Sequence, residues 1–198
     1  MIEKELKAGG HALLDFDDAA HRLCRPYAET LPMKALGIFS KLGDQPELRT
    51  LSVALLAAGT FAGSDRVVRA GARMMIAHEA ATVVKGLLKT NVDRTRPRSA
   101  KRRRDAKPRK GNHKAKELSS FPSGHSAGAI AAARAFSREF PEYGPAAVGA
   151  ALFIALLQVP RCAHYPTDVA AGLLIGLTSE SVVNAGWQAA EMDRRSAI

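Results

Sequence analysis

Phe121-Pro122-Ser123-Gly124-His125-Ser126 leads into Ala127 to Phe140, a long Ala-rich run with the composition of a helix. The proline ends what precedes it, and Ser-Gly makes a corner with free backbone N–H groups. Such a corner at a helix start directs N–H donors and the positive end of the helix dipole at one point, which suits an anion. A histidine there adds a proton donor that titrates near neutrality. Taken alone, the hexapeptide is equally well a serine N-cap with an incidental histidine.

Outward from this corner the chain reads as helix in both directions. Ala146 to Val159 is continuously apolar, and Asp168 to about Trp187 forms a last helix after the bracketing Pro160 and Pro166. Within it Gly172 and Gly176 are a small-xxx-small pair that lets helix backbones approach closely. Upstream, Ser64-Asp65 is an N-cap for Arg66 to Lys89, and Leu48 to Gly63 is the first strongly apolar run. Ile2 to about Thr30 reads as one or two amphipathic helices broken near Gly9-Gly10 and Pro26. A short helix is expected over Met33 to Leu42. No useful β-alternation and no repeat occurs, so the expected fold is an all-α helical bundle. Residues 1–47 would be N-terminal amphipathic helices and residues 48–190 the core, interrupted by a basic loop at 94–120.

The 198 residues carry a net charge of +10, but it is localised. Between Arg94 and Lys116 there are 12 Lys or Arg and one acid, Asp105. This Pro- and Gly-containing loop has no hydrophobic period, and its arginines, Arg94 and Arg98 among them, read as solvated. Two cysteines, Cys24 and Cys162, form neither a disulfide framework nor a metal-ligand spacing. Mean hydropathy is −0.10, so membrane character is confined to segments. The charged start, Met1 to Lys7, is not followed by a signal-type apolar region, so membrane entry is expected through internal helices.

Three stretches hold polar, titratable groups that do not fit a packing role. They are Lys89 to Pro97, Pro122 to His125, and Arg161 to Asp168. Together they supply cations, an N–H-rich corner, two histidines and a carboxylate, a set able to bind a phosphoryl group, attack it and protonate the leaving oxygen. The chain here resembles the type 2 phosphatidic acid phosphatases, which share their core with vanadium-dependent haloperoxidases. The signature K-x6-R-P is matched by Lys89, Arg96 and Pro97, and P-S-G-H by Pro122 to His125. The second half of S-R-x5-H-x3-D is matched by His164 and Asp168. The signatures occur in the family's order.

The resemblance implies a membrane-embedded helical bundle, multi-pass and of the bacterial inner-membrane type, acting on a phosphorylated lipid or small phosphoester. By carry-over, His164 is the nucleophile that forms a phosphohistidine. Asp168 fixes its tautomer, and His125 is general acid and then base. Lys89, Arg96, Ser123 and Gly124 would hold the phosphoryl oxygens. No metal or other cofactor is expected, because cations take the metal's role. One departure stands out. The family arginine falls at Gln158, with Leu157 before it, and Arg161, three residues on, is expected to supply the guanidinium instead. Tyr165 and Trp187 read as packing or interfacial aromatics, and His11, His21, His78 and His113 as surface or core residues. Other readings are a non-catalytic anion-binding relative, a haloperoxidase, and a nucleic-acid-binding arm at the basic loop. Against the last, the loop lacks interleaved aromatics, and no nucleic acid is expected as a partner.

Overall fold

The computed structural model describes residues 2–112 and 115–196, without the side chains of 2–8, 103, 104 and 195. His113 lies outside these residues. Seven α-helices are present among them: α1 Ile2–Cys24, α2 Leu31–Ser40, α3 Gln45–Phe61, α4 Asp65–Lys89, α5 Gly124–Glu139, α6 Gly144–Leu156 and α7 Pro166–Ser196. α5 is the central element, packed against α4, α6 and α7, while α3 covers the other side of α4. The core between them is small-residue packing: Ala77 and Ala81 of α4 meet Ala127, Ala131 and Ala135 of α5, with Met74, Leu48 and Ile175 filling the gaps.

Glycine sets how closely these helices approach. A Cβ on Gly172 would stand 2.4 Å from the Ser123 carbonyl, and one on Gly176 would stand 2.4 Å from that of Ala127. The small-xxx-small pair is therefore the contact by which α7 lies directly on the start of α5. Gly71 plays the same part between α4 and α3, where a Cβ would be 2.8 Å from the Ser52 carbonyl.

Two local expectations are corrected. α1 runs unbroken through Gly9-Gly10 and stops only before Pro26. Glycine costs a helix about 1 kcal/mol but, unlike proline, removes no hydrogen bond. The basic loop also has structure of its own. Strand β1 (Val92–Asp93) pairs antiparallel with β2 (Arg109–Lys110), and Arg94 bridges Ser119. The Arg94 N–H donates to the Leu118 carbonyl at 2.7 Å, and that of Arg96 to the Glu117 carbonyl at 2.7 Å. Stretches of two residues are too short to show β-alternation, so the sequence gives no sign of them.

Residues 166–194 of α7 are long and apolar enough to cross a membrane, and residues 141–156 form a shorter apolar helical stretch. Several large apolar side chains face outward, including Phe61 (92% exposed), Leu31 (81%) and Val182 (72%). An outer surface of this kind marks contact with lipid or protein.

Candidate active site

Several helix ends meet at one end of the bundle. α5 and α7 begin there, and α4 and α6 finish there, so the three sequence signatures converge. Ser123 caps α5, its Oγ accepting from the Ser126 N–H at 3.4 Å and the Ser126 hydroxyl at 2.8 Å. Its own N–H donates to the Asp168 carbonyl at 3.0 Å. This cap takes the Ser126 N–H and leaves those of Gly124 and His125 at the helix entrance for an anion. Asp168, third residue of α7, reaches back over the helix entrance to accept from the Tyr165 N–H at 2.9 Å.

A cleft of about 240 Å³ opens here. Lys89, Arg96, Gly124, His125 and His164 line it, together with Lys85 and the Gly43–Pro46 turn that starts α3. Lys89 Nζ donates to the Ser119 carbonyl at 2.8 Å and Arg96 Nε to the Lys116 carbonyl at 2.9 Å. Neutral carbonyls hold these cations in place without cancelling their charge, which leaves the charge available to a phosphate. A Cβ on Gly124 would stand 3.2 Å from Lys85 Cδ, so glycine here leaves that side chain room beside the cleft. A larger hollow of about 510 Å³, between α4 and α7, is lined by Ile76, Val183 and Trp187 with Arg69, Glu191 and Arg194, and no histidine lines it.

The two histidines are held by different ring nitrogens. His164 Nδ1 lies 2.7 Å from the Ser120 carbonyl, which can only accept, so Nδ1 carries the proton and Nε2 keeps its lone pair. Burial pushes His164 down to about 4; Asp168 opposes that shift, and Arg96 and Lys89 reinforce it. The ring is therefore neutral at physiological pH, as a nucleophile requires. His125 Nε2 lies 2.7 Å from Asp44 Oδ1. A carboxylate accepts, so this nitrogen bears a proton, the requirement for a general acid. The bond from His125 holds Asp44 below the usual carboxylate range. The ring centroids of His125 and His164 are 6.5 Å apart across the cleft.

Several placements differ from the sequence expectation. The contact to His164 Nδ1 expected of Asp168 is made by the Ser120 carbonyl, and the nearest Asp168 oxygen is 3.8 Å away. Asp168 is committed elsewhere, to Arg94 Nη1 at 2.5 Å and the Ser120 hydroxyl at 2.6 Å. Arg94 is not solvated at all: it is 2% exposed and lies 4.1 Å over the Tyr165 ring. Arg161 does not line the cleft. Its Nη1 donates to Ser40 Oγ of α2 and, at 3.4 Å, to Gln158 Oε1, while the guanidinium packs on Gly37. Gln158 is itself buried and donates to the Ile154 carbonyl at 3.0 Å. Ser123 is buried under its own cap and does not face the cleft. Asp44 and Lys85 were not anticipated as site residues. Lys85 could have been, because it sits one turn before Lys89 on α4; nothing in the sequence ties Asp44 to His125.

Residues 70–190 match the PAP2 superfamily. The chain belongs to that superfamily. Two lipid A 1-phosphatases, from Rhizobium etli and Rhizobium johnstonii, are each 46% identical to it over 57 residues. Those 57 residues are 29% of this chain and only 25% and 23% of the two relatives. The chain thus matches about a quarter of the length of these relatives. In fold it is similar to a transmembrane PAP2-type phosphatidylglycerolphosphate phosphatase from Bacillus subtilis, with a TM-score of 0.65 at 18% identity. That similarity covers 89% of this chain and 87% of the other.

Proposed function

We propose that this PAP2 protein is a metal-independent phosphatase that hydrolyses a phosphomonoester or diphosphate on a lipid through a phosphohistidine. The observation that carries the reading is His164 held at Nδ1 by a carbonyl and His125 held at Nε2 by a carboxylate, across a cleft lined by cations. The Nε2 lone pair of His164 attacks phosphorus, the P–O bond to the lipid breaks, and the leaving oxygen takes a proton from the imidazolium form of His125. His125, now neutral, removes a proton from water. The resulting hydroxide attacks phosphorus, the P–N bond breaks, and the electron pair returns to His164 as inorganic phosphate departs. Lys85, Lys89, Arg96 and the first N–H groups of α5 neutralise the charge that builds on the phosphoryl oxygens. These fixed cations stand where a metal ion would otherwise be needed.

A lipid substrate and a membrane location are supported by the apolar outer surface, by the spanning length of α7, and by the lipid phosphates for which the relatives are named. The test is release of inorganic phosphate by the full chain in detergent with EDTA. The panel comprises phosphatidate, phosphatidylglycerolphosphate, an isoprenyl diphosphate, lipid A and a soluble aryl phosphate. Release from a lipid substrate that is undiminished by EDTA is expected. Activity that vanishes with EDTA and returns only with Mg²⁺ would rule the mechanism out.

A further inference from the structure

α1 lies outside the residues that match the superfamily, yet one of its side chains is tied into the site. Asp17 is fully buried, and its Oδ2 accepts from Arg94 Nη2 and from the Thr167 hydroxyl, both at 2.5 Å. Its Oδ1 accepts from the Thr167 N–H at 3.0 Å, in the first turn of α7. Arg94 meanwhile donates to Asp168 Oδ1 at 2.5 Å and to Thr167 Oγ1 at 2.8 Å. The guanidinium is thus held between two carboxylates, one from α1 and one beside the nucleophile, all three nearly inaccessible to water.

The charge balance of this cluster bears on catalysis. When His164 bonds to phosphorus, its imidazole becomes cationic, and a nearby negative charge favours that state. Asp168 alone would provide it, but Arg94 cancels Asp168. Asp17 cancels Arg94 in turn, so the buried cluster keeps one net negative charge next to a ring that also faces Lys89 and Arg96. We propose that Asp17 is a positioning residue for the nucleophile: through Arg94 it fixes Asp168 and sets the net charge that stabilises a covalently bonded, cationic His164. The inference rests on the phosphohistidine reading above.

Anion affinity separates this role from a merely structural one. Vanadate bonded to His164 Nε2 makes the ring cationic, whereas sulfate occupies the cleft without that bond. For the full chain in detergent, Kd is measured for orthovanadate by ⁵¹V NMR and for sulfate by calorimetry. Asp17→Asn is expected to weaken vanadate about tenfold or more while sulfate is little changed. Adding Arg94→Met removes the cation as well, restores the net negative charge, and should recover much of the vanadate preference. Equal weakening of both anions would overturn the proposal. So would a double variant no better than the single one, or a wild-type protein with no preference for vanadate. If Asp17→Asn does not fold, the double variant is read against wild type: retained preference supports the proposal and lost preference overturns it. Vanadate binding needs no turnover, so a wild-type protein that prefers vanadate but releases no phosphate defeats the hydrolase reading alone.

Discussion

Lys85 reaches the cleft from the last turns of α4, while Arg161 lies outside its lining, tied to Ser40 and Gln158. Only the first of them can meet a phosphoryl group without rearrangement. Lys85→Ala should therefore lower kcat by roughly 10²–10³-fold, the range for losing one donor to a developing oxyanion. Arg161→Ala should act mainly on stability, by loosening α2. Steady-state kinetics of both variants on the panel substrate that releases phosphate decide between them, and a larger kcat loss for Arg161→Ala would return the role to that residue. The spacing of Arg161 suggested the opposite ranking because i and i+3 share a face only within a helix. α6 ends at Leu156, and Cys162 takes a left-handed φ of 49°, so the chain between Gln158 and His164 is a turn. The other site residues were legible because their signatures are local: a cap, a corner, a carboxylate one turn past a histidine. The Asp44–His125 and Asp17–Arg94 pairs join residues 81 and 77 positions apart, respectively, and no spacing rule reports contacts at that range.

At the level of elements, the seat of α7 on α5 decides whether the site assembles. Gly172 faces the Ser123 carbonyl and Gly176 that of Ala127, one turn further along each helix. Gly172→Val would drive a side chain into the cap of α5, displacing Ser123, Gly124 and the carbonyl of Asp168 together. Overpacking costs typically 1–3 kcal/mol, and here the strain falls on the catalytic corner, so activity should collapse. Gly149→Ala on α6, where no atom lies within 4 Å of the added Cβ, should be neutral or slightly stabilising. Unfolding midpoints in detergent, measured beside kcat, check the pair; a Gly172→Val protein of normal activity would mean that α7 seats differently. The helices themselves were legible from composition, capping residues and proline positions. The β1–β2 pair and the continuity of α1 through Gly9-Gly10 were not, because both depend on hydrogen bonds that override weak local preferences.

The molecule as a whole has two unlike ends. Away from the cleft, arginines are paired with carboxylates: Arg66 with Glu142, Arg69 and Arg73 with Glu139, and Arg134 and Arg138 with the buried Glu180. At the cleft, Lys89 and Arg96 are held by carbonyls instead and keep their charge for a ligand. An ion-paired base under a cationic mouth is the arrangement expected of a bundle that takes an anionic head group at one face only. The central claim is that phosphate passes through His164 Nε2, and rapid acid-free quenching with a ³²P-labelled lipid phosphate tests it most directly. The wild-type chain should trap a protein-bound phosphate that is stable in alkali and labile in acid, as a phosphohistidine is, and His164→Ala should trap none. An acid-stable adduct, or equal labelling of His164→Ala, would contradict the account.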